Sequence, residues 1–271
     1  MITEHQIKLE IVEIGKRLFS KGFVASNDGN ISVKLDKNSI LITPTGLSKG
    51  FLQAEDIVRC DLKGNKISGR KEPTSEIKMH IAAYLNRKDI NAVVHAHPPY
   101  ATGLSLAGLS LDKCTLAEVI ISLGSVPLAE YGTPSTDELV TNIEKFLKDH
   151  DALLLANHGA ITLGKDLYNA YYKMETVEHS SQITFIAKML GNINILTRED
   201  VEKLMDVRTK FGIKTSYPDC VVNPEGSCKI EEENKTGSSS DDKRVFNDKV
   251  KDELINNITQ KVLNEIQRRT L

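Results

Sequence analysis

Two short apolar runs constrain this chain more than any other feature, because each leads into histidine. The first reads AVVHAHPP over residues 92–99 and the second ALLLANHG over residues 152–159. Segments this apolar and this short, 92–97 and 152–156, are expected as central strands buried on both faces. Side chains alternate across a strand, so His95 and His97 fall on one face, two residues apart, where two imidazoles can reach one metal ion. His158 ends the second run, and Gly159 after it frees the backbone to turn sharply. Three neutral imidazoles with a fourth position open to exchange form the ligand set of a catalytic zinc. A His-x-His pair alone is moderately specific, since lone histidines are usually structural or solvated. The third histidine at a strand end tilts the balance towards metal.

The rest of the chain supplies layers for such strands. Ile7, Ile11, Ile14 and Leu18 repeat at the spacing of one helical face, and Gly22 suits the C-cap. Residues 31–35, 39–43 and 57–61 read as strands bounded by Gly, Asn, Asp or Pro. Helices are expected from Pro73 to Leu85, over 136–148 and over 166–190. Strands clustered between flanking helices indicate an α/β domain around one mixed sheet, without internal repeats. At 271 residues and 40% hydrophobic, the chain is long enough for one large domain and an appendage.

Charge and cysteine usage exclude several roles. Lys+Arg 35 against Asp+Glu 37 leaves a net charge of -2, with no basic surplus for a nucleic-acid partner. No apolar run approaches the ~20 residues of a membrane helix, and the N-terminus lacks the continuous apolar stretch of a secretory signal. Cys60, Cys114, Cys220 and Cys228 form no CxxC pair and read as reduced thiols, which fits a cytoplasmic protein. After residue 228 the composition changes. Residues 229–242 are a polar linker, and 243–271 regain apolar residues at helical spacing. That tail is compatible with folding back on the 1–228 domain, with packing in an oligomer, or with docking on another protein.

Three further segments carry candidate chemistry. In KEPTSEIKMH, a helix opened by Pro73 puts Thr74 and Ser75 in its first turn, where hydroxyls and free N–H groups stabilise an anion without Lys or Arg. Glu76 follows, and a carboxylate beside a metal can ligate it or take a proton from a substrate. The same letters also read as a plain helix cap. His80, one turn on, reads as a packing or hydrogen-bonding residue outside the metal shell. SNDGNIS (26–32) and TPTG (43–46) combine Gly with small polar residues whose N–H groups can converge on a phosphate. Each alone is equally an ordinary turn.

Taken in order, SNDGNIS, ITPTG, PTSE, HAHPP and ANHG resemble the class II aldolase/adducin family over roughly residues 5–215. The resemblance implies a three-layer α/β/α sandwich around a central, mostly antiparallel sheet, assembled as a homotetramer. It implies one zinc ion (Zn2+) per subunit held by His95, His97 and His158, with Glu76 as a further ligand and the catalytic acid/base. It implies a substrate phosphate held by Asn27, Gly29, Asn30, Thr45, Gly46, Thr74 and Ser75. The implied reaction is reversible cleavage of a ketose 1-phosphate, of the L-fuculose 1-phosphate kind, to dihydroxyacetone phosphate and an aldehyde. Aldolases or dehydratases acting on 5-deoxyribulose or methylthioribulose 1-phosphate share the pattern. The ribulose-phosphate 4-epimerases carry Asp where this chain has Glu76, and adducin-like binding heads have lost the metal ligands. The sequence departs from the aldolase pattern at 116–118, where a tyrosine acting on the aldehyde oxygen belongs and Leu116, Ala117 and Glu118 stand instead. Tyr131 and Tyr217 lie elsewhere. The tail 243–271 resembles the encapsulation peptides that dock cargo enzymes on the shell proteins of bacterial microcompartments.

Overall fold

The computed structural model describes residues 3–213. The linker at 229–242, the tail at 243–271, Tyr217, Cys220 and Cys228 lie outside the described residues. The first helix, α1 (Glu4–Ser20), begins at a capping box in which Thr3 accepts from the Gln6 N–H and Gln6 accepts from the Thr3 N–H. Its buried face is Ile11, Ile14, Gly15 and Leu18, and Gly22 follows with φ 71. The chain then builds β1 (Asn30–Lys34), β2 (Ser39–Ile42), β3 (Val58–Asp61) and β4 (Lys66–Ser68) as an antiparallel meander. Helix α2 (Ile77–Asn86) leads into β5 (Ala92–Ala96), followed by α3 (Pro99–Leu106), α4 (Ala117–Ser122) and β6 (Leu128–Ala129). Helix α5 (Asp137–Leu147), β7 (Ala152–Leu155), β8 (Gly159–Gly164), α6 (Leu167–Leu190) and α7 (Arg198–Lys210) complete the described chain.

The eight strands form one sheet in the order β4-β3-β2-β1-β5-β8-β7-β6. All neighbours are antiparallel except β6 and β7. Alternation along each strand divides the core. Ala92, Val94 and Ala96 of β5 pack with residues of α1, α3, α4 and α6 on one face. Val93 of β5, Leu153 of β7 and Ile161 of β8 pack with α2 and α5 on the other. The result is the three-layer α/β/α sandwich with a mostly antiparallel sheet. Helix α7 packs beside α4 through Ile120 and Val201. Among the described residues no helix is long and apolar enough to cross a membrane.

The start of α2 differs from expectation. The helix begins at Ile77 with Glu76 as its N-cap, not at Pro73. Pro73 instead pairs with Pro44 in an isolated bridge, and the Thr74 N–H donates to the Thr43 carbonyl. Proline at a strand edge loses no ladder donor, so extended pairing captures the segment and delays the helix by one turn. Thr74 and Ser75 therefore do not stand in a helical first turn.

The layers are tied by a buried charge cluster. Arg87, after α2, pairs with Asp151 at 2.8 Å and with Asp89 at 2.7 Å, while Lys173 of α6 reaches Asp151 at 2.7 Å. Removing Asp151 leaves Lys173 without its carboxylate and Arg87 with the exposed Asp89 in place of its buried partner. Asp151→Ala is expected to lower unfolding free energy by about 3 kcal/mol in urea titration. A loss under about 1 kcal/mol would mean that solvent reaches these groups and the cluster is not a structural tie.

Candidate metal centre and active site

The sheet brings the three histidines together at one end of β5 and β8. β5 delivers His95 on the α2/α5 face and carries His97 just past its last residue, while His158 sits in the turn between β7 and β8. Their ligating atoms all lie within 4.8 Å of one another. The turn owes its shape to Asn157, which takes the left-handed region at φ 55, a conformation Asn tolerates better than most residues. Gly159 serves differently from expectation. Its backbone is not left-handed; a Cβ there would lie 2.5 Å from the Ala96 carbonyl oxygen and 2.6 Å from His97 Cδ2. Glycine at this position lets β8 and His158 approach β5.

The protonation pattern fits a cation. His95 is fully buried, and burial pushes its imidazole well below the usual range, so it is neutral at physiological pH. Its Nδ1–H donates to the Ala160 carbonyl at 2.9 Å, which leaves Nε2 bare. His97 Nε2 lies 3.1 Å from that nitrogen, and Asp28 Oδ2 lies 3.5 Å from His97 Nδ1, favouring the proton on Nδ1. Two bare nitrogens then face each other, an arrangement that a cation between them relieves. His158 Nδ1 and Glu76 Oε1 are buried without hydrogen-bond partners. Three imidazoles, a carboxylate oxygen and orphaned buried polar atoms fit a divalent metal of the zinc type.

Glu76 sits against this cluster, with Oε2 3.4 Å from His95 Nε2 and Oε1 3.2 Å from His158 Nε2. Burial opposes its charge, but the facing His158 ring and the Asn30 amide outweigh burial and hold the carboxyl well below the usual carboxylate range. The N-terminus of α2 adds its partial positive charge. The carboxylate is also aimed. Asn30 Nδ2 donates to Glu76 Oε2 at 2.7 Å and to Thr74 Oγ1 at 3.2 Å. Asn30 Oδ1 accepts from His80 Nε2 at 2.5 Å, while His80 Nδ1 accepts from Ser32 Oγ at 2.7 Å, and Ser32 Oγ stands 2.8 Å from the Tyr84 hydroxyl. This buried chain fixes which side of the Asn30 amide faces Glu76. His80 thus lies outside the metal shell and hydrogen-bonds.

Beside the metal centre, Asn27, Gly29, Asn30, Thr45, Gly46, Thr74 and Ser75 line one cleft of about 140 Å³ together with Asp28, Lys49, Glu76 and His97. The three separate turns do converge. Within them the amide of Asn30 is committed to Glu76 and Thr74, and the Thr45 N–H to the Glu72 carbonyl. Gly29 has φ 71, and a Cβ there would meet the His95 carbonyl oxygen at 2.8 Å, so only glycine lets this loop close over β5. Lys49, absent from the sequence-based site, lines the same cleft. Its signal was a lysine three residues after Gly46, which reads as an ordinary solvated side chain. Tyr131 is half exposed and is not among the residues lining the cleft.

The family model for the class II aldolase and adducin N-terminal domain matches residues 9–185. This chain belongs to the class II aldolase and adducin family. An L-fuculose phosphate aldolase of Methanococcus maripaludis is 40% identical over 182 residues, covering 67% of this chain and 97% of the relative. A 3-oxo-tetronate 4-phosphate decarboxylase of Pectobacterium atrosepticum is 36% identical over 208 residues, covering 74% of this chain and 94% of the relative. A solved L-fuculose 1-phosphate aldolase superposes with a TM-score of 0.69 at 34% identity, covering 76% of this chain and 96% of that one. The class II aldolase fold therefore accounts for the sandwich around the histidine cluster.

His80 gives this site a measurable pH signature. Burial pushes its imidazole down to about 4, whereas in the unfolded chain it titrates near 6.5. Between these values the unfolded chain binds a proton that the folded chain does not, so stability falls as pH drops from 6.5 to 4, by about 3 kcal/mol from this group. Urea titrations of wild type and His80→Gln at pH 8 and pH 5 are expected to show a smaller pH-dependent loss in the variant. Equal losses would mean that His80 titrates normally in the folded protein.

Proposed function

We propose that this chain is a zinc-dependent aldolase that reversibly cleaves a ketose 1-phosphate, of the L-fuculose 1-phosphate kind, to dihydroxyacetone phosphate and an aldehyde such as L-lactaldehyde. The observation that carries this reading is the position of Glu76, between a three-histidine cluster and a cleft lined by small polar turns. His95, His97 and His158 hold the metal, with Glu76 as an additional ligand. When bound there, zinc supplies Lewis-acid stabilisation of negative charge developing on substrate oxygens.

The remaining work falls to the chain itself. The cleft binds the phosphate and sets the distance from it to the reacting carbon. Retro-aldol cleavage between C3 and C4 turns the C4 hydroxyl into the aldehyde carbonyl, its proton passing to a base, and leaves an enediolate. Glu76, having taken up a proton from solvent as that charge forms beside it, passes the proton to C3 to give dihydroxyacetone phosphate. In the synthetic direction Glu76 removes that proton. Asn30 donates to Oε2 and thereby fixes the orientation of the carboxylate that exchanges the proton. A pre-aimed carboxylate raises the rate by keeping the acid/base in one geometry.

A second reading has a specific observation behind it. Residues 116–118 offer no tyrosine to take the C4 hydroxyl proton as the aldehyde departs, and among the described residues no tyrosine lines the cleft. Loss of carbon dioxide from a 3-oxo-tetronate 4-phosphate gives the same enediolate, and a carboxylate leaving as carbon dioxide has no hydroxyl proton to be taken away. Both readings share Glu76 and the phosphate cleft and differ in the group expelled.

Partners belong to the same proposal. Phe185, Ile186, Met189 and Leu190 leave apolar surface exposed at the end of α6, which supports self-assembly, as a homotetramer by the family resemblance. Residues 243–271 are proposed to dock on a microcompartment shell protein within the cytoplasm.

The test is solvent exchange. Zinc-loaded protein incubated with dihydroxyacetone phosphate in D2O is expected to exchange the C3 proton, followed by NMR, in a chelator-sensitive way. Glu76→Gln is expected to slow the exchange about a hundredfold or more. Exchange absent from zinc-containing wild type would overturn both readings.

A further inference from the structure

The floor of the cleft holds a charge that the metal ligands do not account for. Lys49 opens the short 3-10 turn Lys49–Phe51, and only 1% of its surface is exposed. Its Nζ donates to the Asn27 carbonyl at 2.8 Å and to the Leu47 carbonyl at 2.7 Å, one acceptor from each of two loops that wall the cleft. An ammonium carries three donors. Among the described residues no third acceptor lies within hydrogen-bond distance, and no carboxylate within ion-pair distance. Asp28 and Glu76 line the same cleft, but Asp28 leans on His97 and Glu76 on His95 and His158.

A buried cation is costly; the direct contacts of this one are neutral carbonyls, and the Asp28 and Glu76 carboxylates favour its charge only from beyond ion-pair distance. Burial lowers the Lys49 ammonium to about 8, so it is mostly charged at neutral pH. Every other side chain lining the cleft is neutral, acidic or a histidine of the metal cluster. A ligand bearing a compact negative charge supplies a third acceptor and an opposing charge in direct contact.

We propose that Lys49 is the residue that makes this site select a phosphorylated substrate, its ammonium donating from beneath the loops to a phosphate oxygen held by the Asn27–Gly29, Thr45–Gly46 and Ser75 turns. The inference rests on the ketose 1-phosphate reading of this cleft and names the group that supplies the phosphate's counter-charge. Lys49 thereby does two things at once: it ties the two loops together and presents one free donor to the space between them.

The experiment compares exchange into dihydroxyacetone phosphate with exchange into unphosphorylated dihydroxyacetone, using the zinc-loaded full chain. Lys49→Met is expected to reduce the preference for the phosphorylated compound, as a ratio of kcat/KM values, by roughly tenfold or more, as loss of a charge-assisted hydrogen bond entails. Lys49→Arg, which keeps the charge, is expected to retain most of the preference. Equal losses on both compounds would show that Lys49 only props the loops, and an unchanged ratio would show that it does not face the phosphate; either overturns the inference. Lys49→Gln keeps a donor without charge and substitutes for the Met variant should that one fail to fold. Calorimetric titration with inorganic phosphate separates the two claims. If wild type exchanges neither compound, the aldolase reading fails, while equal phosphate affinity of wild type and Lys49→Gln independently overturns the role given to Lys49.

Discussion

The register between β5 and β8 is the constraint on which the site depends. Ala96 stands opposite Ala160 and His95 opposite Ile161, so the turn carrying His158 meets the end of β5 where His97 emerges. The Nδ1–H of His95 donates across this same pairing to the Ala160 carbonyl. A one-residue slip would turn His95 to the opposite face and separate the imidazoles. The register is held from both sides, because Val93 and Ile161 are buried under α2 and α5 while Ala92, Ala96 and Ala160 are buried under α6 and its neighbours. Gly159 completes the fit, since any side chain there would push the two strands apart.

A second layer of organisation runs perpendicular to the sheet. Tyr84, Ser32, His80 and Asn30 link helix α2 to strand β1 by buried hydrogen bonds that end on Glu76. Buried polar groups are costly unless satisfied, and here each partner satisfies the next. The same network that joins α2 to the sheet orients the carboxylate. Packing and chemistry therefore share one set of contacts, with Glu76 at their meeting point with the histidines.

Much of this was legible from residues alone, and for physical reasons. β5 and β7 are continuous apolar runs, which read plainly as buried strands, and the histidines at their ends are unusual enough to stand out. The face of α1 follows from its periodicity. Other parts depend on long-range pairing. Strand β8 is a short segment with Gly at both ends that no local pattern singles out, and its pairing with β5 and β7 makes it a central strand. Pro73 reads as a helix start because its pairing with Pro44 is made across some thirty positions of chain. Lys49 carries no local sign of burial; its place is fixed by two carbonyls brought together by the fold. Seven small polar residues from three turns were each ambiguous alone and gain meaning from lining one cleft.

His95, His97, His158 and Glu76 are proposed to form one metal site. X-ray absorption at the zinc edge of the zinc-loaded full chain, with metal content measured in parallel, tests it most directly. The expected result is one zinc per chain in a nitrogen and oxygen environment with imidazole scattering, reduced in His95→Ala and His158→Ala. Sulfur ligation, or no stoichiometric metal in a folded chain, would contradict it.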